Sequence, residues 1–316
     1  MITKEQFDEE RKECEELSHI EKDITNPTLA EIDRLYGAAD VLSMKHALVH
    51  HERLLNISLI APFIVFYFIL YEVTEHHWLI IVVTALILLL YYVYSRPEDE
   101  ESHERYLEYR VLAESLRVQY FISKAGINKN VADILPWFTE IRVPLVKNVL
   151  NGLTSIETDK KESIMECWVI DQMKYHDRAH KKSLKLEEKH ELYEKISLYA
   201  TILIYALAFV FEILMMAHVP IDFVDAHFIR AFFKIGIGTT TAITIFLKNY
   251  FGKLSLSSKI EEHKRMHWLY ENVEHKMKTT REESEEQILY LAEQCLIENT
   301  IWYSHQKNND PNFAVE

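Results

Sequence analysis

Four stretches of the chain are almost continuously apolar, and long charged segments flank them. They cover residues 54–71, 78–95, 196–217 and 228–251. The first two are about 18 residues long and contain no charged side chain. The third contains only Glu212, whereas Arg230, Lys234 and Lys248 interrupt the fourth. Because a helix crosses a bilayer with about 17–25 apolar residues, the pattern predicts four transmembrane helices in two hairpins.

The alternative to a membrane protein is a soluble helical bundle whose core is formed by the same four stretches. Helices in a soluble core normally carry a polar stripe at helical spacing, and the first three stretches carry none. The first 50 residues are polar and heavily charged, so we expect the helices themselves to direct insertion, without a secretory signal. The pattern therefore favours a membrane protein.

Charged residues near the ends of the apolar stretches predict their orientation. The two hairpin tips contain acidic residues but neither Lys nor Arg; these are Glu72, Glu75, Asp222 and Asp225. The opposite ends carry Arg53, Arg96, Lys195, Lys248 and Lys253. Because Lys and Arg accumulate on the cytoplasmic side, we expect both termini in the cytoplasm and the two short tips outside.

The polar segments are also predicted to be helical. The chain contains only 6 Gly and 7 Pro, which argues against sandwiches and barrels. Asn26-Pro27-Thr28 is a typical helix start, and Gly126 a typical helix end. The same order of parts occurs twice. We therefore predict an all-α integral membrane protein with duplicated hairpins on long cytoplasmic helical stalks. Its parts are N-terminal cytoplasmic helices (1–53), a first transmembrane hairpin (54–95), a cytoplasmic helical region joining the halves (96–195), a second hairpin (196–251) and C-terminal cytoplasmic helices (252–316).

Charge and cysteine content narrow the possible functions. The net charge is −14, from 49 acidic and 35 basic residues, which makes a nucleic-acid partner unexpected because phosphate affinity depends on clustered Lys and Arg. The three cysteines, Cys14, Cys167 and Cys295, are odd in number and far apart. We expect them to be reduced and structural.

Four runs of the sequence resemble a known family of membrane effectors. "YLEYRVLAESLRVQYF" (106–121) resembles the helix that follows the second span in the SLATT family, the SMODS- and SLOG-associating two-transmembrane domains of bacterial nucleotide-signalling conflict systems. "YGAADVLSMKHALVHHERLL" (36–55) is similar to the family's entry helix. The Trp-led run "WVIDQMKYHDRAHKKS" and the final run "LAEQCLIENTIWYSHQ", with Glu298, Asn299 and Trp302, resemble its tandem four-span form.

The resemblance implies a function and a location. Members of this family are pore-forming effectors, so we expect a homo-oligomer in the bacterial inner membrane that permeabilises or depolarises it. Relatives often carry an N-terminal nucleotide-sensing domain, whereas only about 50 residues precede the first span here. We therefore expect a nucleotide sensor to be a separate partner protein or to be absent, and the lipid bilayer to be the other partner.

The resemblance centres on Tyr109, Arg110, Glu114 and Arg117, which mark a candidate site. Arg110 and Glu114 are spaced i,i+4, so the two side chains meet on one helical face. They form either a surface salt bridge, worth less than about 1 kcal/mol, or a lock between helices beneath the membrane.

The fourth apolar stretch contains a second candidate site. Gly236, Thr240 and Thr244 recur at four-residue intervals and give one small, weakly polar face. Such a face serves close helix packing or lines a pore. Glu212 and Lys234 lie at similar depth in two antiparallel spans, so we predict that they pair within the membrane.

The histidines allow a third kind of site. His46/His50, His176/His180 and His263/His267 are i,i+4 pairs, each with both imidazoles on one face. They are packing residues, metal ligands as in membrane di-iron oxygenases, or a pH-sensing patch. We predict no metal or other cofactor and no catalytic residue, since hydrolase, nucleotide-loop and zinc-protease motifs do not occur. A non-conducting scaffold and, less favoured, a di-iron enzyme remain the alternatives to a pore.

Overall fold

The computed structural model describes residues 1–95, 97–158, 162–217, 225–253 and 256–308. Every regular element within these ranges is a helix and none is a strand, which confirms the all-α prediction. The predicted charges Arg96 and Asp222, with most of the second hairpin tip, lie outside the described residues.

Ten α-helices follow one another along the described chain. They are α1 (Lys4–Glu10), α2 (Pro27–Thr74), α3 (Trp78–Tyr94), α4 (Pro97–Lys124), α5 (Trp137–Arg142), α6 (Pro144–Leu150), α7 (Asp171–Met216), α8 (Ala226–Lys253), α9 (Leu256–Thr280) and α10 (Glu285–Asn308). A single π-helical turn, Met165–Ile170, leads directly into α7.

Local chemistry fixes several of these boundaries as the sequence predicts. The side-chain oxygen of Asn26 accepts hydrogen bonds from the backbone N–H groups of Thr28 (2.9 Å) and Leu29 (3.2 Å), and so caps the start of α2. Gly126 follows α4 with φ of 71°, a left-handed conformation that only glycine adopts without strain. Both the predicted helix start and the predicted helix end are confirmed.

Three of the helices are long and apolar enough to cross a membrane: α2, α7 with its π-helical turn, and the helix that begins at Ala226. The apolar helix α3 has 17 residues and is shorter than this criterion. In the most apolar 18-residue segment of each helix, 11% of residues are buried in α2, 6% in α7 and 0% in the helix that begins at Ala226. A soluble bundle would bury these segments, so their exposure is compatible with a membrane-embedded protein and opposes the soluble alternative.

The chain divides into two compact units. The first comprises Met1–His51, Pro97–His180 and Glu261–Glu316, and the second comprises Glu52–Arg96 and Lys181–Ile260. The first unit thus gathers the polar segments, and the second gathers the four apolar stretches.

Helix α4 is the centre of the first unit. Its residues are buried on every side of the helix from Leu107 to Ile122, rather than along one stripe. A helix that is buried all round must be enclosed by other helices. The indole of Trp168, 1% exposed, stacks on Phe121 of α4 with ring centroids 5.0 Å apart. This packing holds the segment preceding α7 against α4.

Candidate functional site

The Arg110–Glu114 spacing predicted on α4 is part of a network of four charged side chains, which we call the α4 charge network: Asp40, Arg110, Glu114 and Arg117. Arg110 Nη2 lies 2.6 Å from Glu114 Oε1, which confirms the i,i+4 pair. Arg117 donates to the other oxygen of Glu114. Arg110 Nη1 also donates to Asp40 Oδ1 of α2 over 3.1 Å. The network therefore joins two helices and is more than a salt bridge along one helix.

The surroundings of the α4 charge network strengthen its interactions. The four side chains are between 13% and 33% exposed, so water screens them only partly. Burial raises the pKa of the Glu114 carboxyl, but the guanidinium groups of Arg110 and Arg117 outweigh it and hold that pKa below its usual range. Glu114 is therefore ionised at neutral pH, and its carboxylate pairs with two guanidinium groups, those of Arg110 and Arg117.

Tyr109 belongs to a different contact. Its ring is fully buried, and its hydroxyl donates to Glu10 Oε2 over 2.8 Å. Arg105 pairs with the same carboxylate. Tyr109 and Arg105 thus fasten α1 to α4, with Phe7 of α1 buried beside the Tyr109 ring.

The residues of the final helix that carry the resemblance hold α10 in place. The side-chain amide of Asn299 donates to the backbone carbonyl of Val111 on α4 over 3.1 Å, in a buried setting. Trp302 meets the Tyr106 ring edge-on, with centroids 5.8 Å apart. Both residues bind α10 to α4 and have no reactive partner in this arrangement.

Glu298 marks an acidic site between α9 and α10 that the sequence did not reveal. Glu298 Oε1 accepts from Arg265 Nη2 over 2.6 Å. Nearby on α9, burial and the negative charge of Glu298 raise the pKa of Glu262 to about 7. No local spacing connects Glu262 with Glu298, because the two residues lie on separate helices. Glu262 consequently changes charge near neutral pH.

The structure pairs histidines across helices. His176 Nδ1 of α7 lies 3.2 Å from His263 Nδ1 of α9, so one member of the second predicted i,i+4 pair meets one member of the third. His46 Nε2 instead faces Glu10 at 3.8 Å, and His50 stacks on His103. Among the described residues, no group of three or more His, Cys, Asp or Glu side chains has the geometry to hold a metal ion.

The predicted pairing of Glu212 with Lys234 is wrong. Glu212 accepts two hydrogen bonds from Arg230, at 2.7 and 2.9 Å, and Lys234 pairs with Glu72. Arg230 and Lys234 are one helical turn, about 6 Å, apart on the same face of α8. Their long side chains span that difference, so backbone depth alone does not select between them. The planar guanidinium of Arg230 matches the carboxylate in a bidentate arrangement, which a lysine cannot form.

The small face of α8 is a packing face. A Cβ atom added to Gly236 would lie 3.3 Å from the Ile204 side chain of α7. The hydroxyls of Ser197 on α7 and Thr244 on α8 are 2.8 Å apart. Thr240 donates to the Gly236 carbonyl in its own helix over 2.8 Å. Close packing, one of the two predicted roles, accounts for this face in a single chain.

Gly238 permits a second close approach, which the sequence prediction missed. A Cβ atom at this position would collide with the Ile69 side chain of α2. Gly236 and Gly238 point to different faces of α8, so α8 lies close to both α7 and α2. The sequence did offer a signal for this approach, because Gly238 lies only two positions after Gly236 of the small face.

Comparison of the chain with protein-family models, curated proteins and solved structures gives no match.

Proposed function

We propose that this chain is a multi-pass protein of the bacterial inner membrane, with four spans in two hairpins and both termini in the cytoplasm. It oligomerises and forms a pore or channel that permeabilises or depolarises the membrane. The SLATT-like sequence runs support the class of function. The three long apolar helices, with α3 as a shorter fourth, support the location.

One observation carries the conducting role: ionised side chains lie on the surface of the apolar unit. The Glu212 and Arg230 side chains are 44% and 53% exposed, and those of Glu72 and Lys234 are 51% and 52% exposed. Glu212 and Arg230 each lie about one helical turn, roughly 6 Å, from the ends of α7 and α8. Charges in spans rarely face lipid, and normally face other helices or a water-filled path. In the assembled protein, these pairs would therefore contact a second subunit or face a water-filled path.

The trigger is proposed to act through the first unit. The α4 charge network connects α2 with α4, and α2 runs without interruption from Asp40 into the first apolar stretch. A cytoplasmic partner that sensed a nucleotide would rearrange such contacts. The α4 charge network would then transmit the signal along a continuous helix.

Conductance of the purified full-length protein in planar bilayers tests this function. We expect channel events from the wild type and altered conductance for Glu212→Gln, which leaves Arg230 without its carboxylate. Exchanging the charges, Glu212→Arg with Arg230→Glu, should restore part of the original behaviour. Glu191→Gln is the matched control, because Glu191 pairs with Lys195 while both side chains are about 60% exposed outside the predicted spans.

The results of this assay separate the alternatives. Absence of channel events from the wild type, with or without cytoplasmic nucleotides, would contradict a pore. Such a result would favour the non-conducting scaffold, which the packing of Thr240 and Thr244 within and between helices also supports. Iron bound stoichiometrically to the purified protein would favour the di-iron enzyme instead.

A further inference from the structure

The His176–His263 pair is a contact between α7 and α9 with a titratable group on each side. The two Nδ1 atoms are 3.2 Å apart, and the ring centroids 5.3 Å. His176 is only 7% exposed and stacks on Tyr270 of α9. Water therefore has little access to its ring, and the partner of Nδ1 is the second imidazole.

Other titratable groups lie near this pair on four helices. From α4 these are Glu114 and Arg117, from α7 Tyr175, from α9 His267, Tyr270 and Glu262, the sequence neighbour of His263, and from α10 Cys295, which contacts Tyr270. His267 Nδ1 lies 3.1 Å from the backbone carbonyl of Met173. Arg117 and the two neighbouring histidines oppose a positive charge on His176, and Glu114 favours it.

Hydrogen bonding limits how many protons this pair can hold. A neutral imidazole has one ring nitrogen that donates and one that accepts, so two facing Nδ1 atoms can share a single hydrogen. A first added proton binds the free Nε2 of the donating imidazole and leaves the hydrogen bond intact. When both imidazoles are protonated, both Nδ1 atoms carry a hydrogen and two N–H groups point at each other. The hydrogen bond is then lost, and two positive charges repel. Burial, His263 and Arg117 lower the pKa of His176 to about 3, in agreement with this geometry.

We propose that the His176–His263 pair is an acid-sensitive latch, which holds α7 to α9 at neutral pH and releases them when the surrounding medium becomes mildly acidic. Release lets the pair take up a second proton that it cannot hold in the closed contact. His176 lies near the N-terminus of α7, and α7 continues to Met216 as one helix. Release therefore frees the N-terminal end of a helix that also contains an apolar stretch. The latch does not depend on whether the protein conducts.

Glu262 responds to acid in the opposite direction, and the test must separate the two groups. Its pKa is raised by burial and by Glu298, so protonation near neutral pH removes a repulsion and tightens the packing of α9. An acid-induced loosening of α9 therefore cannot come from Glu262. Variants at His263 and Glu262 should shift the response in opposite senses.

Hydrogen exchange of the full-length protein in nanodiscs measures the latch directly. The readout is protection of amides in residues 261–270, corrected for the intrinsic effect of pH, at about pH 7.5 and about pH 5.5. With an ordinary histidine pKa of about 6.5 in the opened state, opening at about pH 5.5 should increase roughly tenfold. His263→Gln does not titrate, and its amide oxygen can accept a hydrogen bond from a protonated His176, so the closed contact tolerates that proton and this increase should become smaller.

Two controls keep the test decisive. His275→Gln removes an exposed histidine of the same helix and should retain the full acid response. Glu262→Gln should enlarge the net loosening, because it removes the opposing effect. If His263→Gln unfolds at neutral pH, judged by circular dichroism, His176→Gln is measured in its place.

Three outcomes would overturn the latch. The first is a wild type whose protection does not change between the two pH values. The second is a loss of protection that persists unchanged when the histidine pair is removed. The third is saturable Zn²⁺ binding that stabilises the wild type and is abolished by His263→Gln, which would identify the pair as metal ligands.

Discussion

Glu114 is the residue whose replacement should most weaken the first unit through charge alone. In Glu114→Gln, Arg110 keeps its 3.1 Å contact with Asp40, but Arg117 loses the carboxylate with which it pairs. Breaking a buried ion pair by removing one partner costs about 3–5 kcal/mol. Since these side chains are 17–33% exposed, we expect a reduced loss in the free energy of unfolding, about 2–3 kcal/mol.

Thermal unfolding in detergent, followed by circular dichroism, measures this loss. A change of 2–3 kcal/mol corresponds to a decrease in Tm of roughly 5–10 °C for a domain of 150–250 residues. Glu101→Gln is the matched control: Glu101 also pairs with an arginine at i,i+4 on α4, but its side chain is 61% exposed. The control should change stability by less than about 1 kcal/mol.

The pH dependence follows from the lowered pKa of Glu114. A carboxyl whose pKa is depressed in the folded protein contributes stability above its unfolded pKa of about 4.5, and this contribution is lost as the pH falls through the folded value. The difference between wild type and Glu114→Gln should therefore be full at neutral pH and shrink below about pH 4.5. Equal Tm values for Glu114→Gln and Glu101→Gln at neutral pH would refute the claim that the α4 charge network joins helices.

Two further predictions concern packing and orientation. Trp168→Ala should destabilise the protein by about 3–5 kcal/mol, because the indole is 1% exposed, and Trp168→Phe should recover part of that loss in the same unfolding assay. A reporter that is active only outside the cytoplasm should work when fused at Glu75 and fail at Asn130; activity at Asn130 would reverse the proposed orientation.

The features that the sequence predicts well are local along the chain. Asn26 caps α2 and Gly126 ends α4 through contacts within a few residues, and the Arg110–Glu114 pair follows from helical periodicity alone. These interactions depend on spacing within one helix. A pattern of residues is sufficient to identify them.

The features that the sequence misses depend on the register between helices. The long side chains of Arg230 and Lys234 can both reach the depth of Glu212, and only the packed side chains show that Glu212 meets Arg230. The contact of His176 with His263 joins residues 87 positions apart, and no single-helix pattern encodes it. A shift of one turn in either helix would give a different partner.

The burial of α4 on all sides also has a consequence for how the protein is made. One of its neighbours, α10, binds through Asn299 to Val111, 188 residues earlier in the chain. The ribosome therefore completes all four apolar stretches before it synthesises the helix that covers α4. Contacts this distant form late and leave apolar surface uncovered in the meantime. The part of α4 that faces α10 is thus exposed in the nascent chain until α10 emerges, and an unfinished chain is prone to aggregate at this surface.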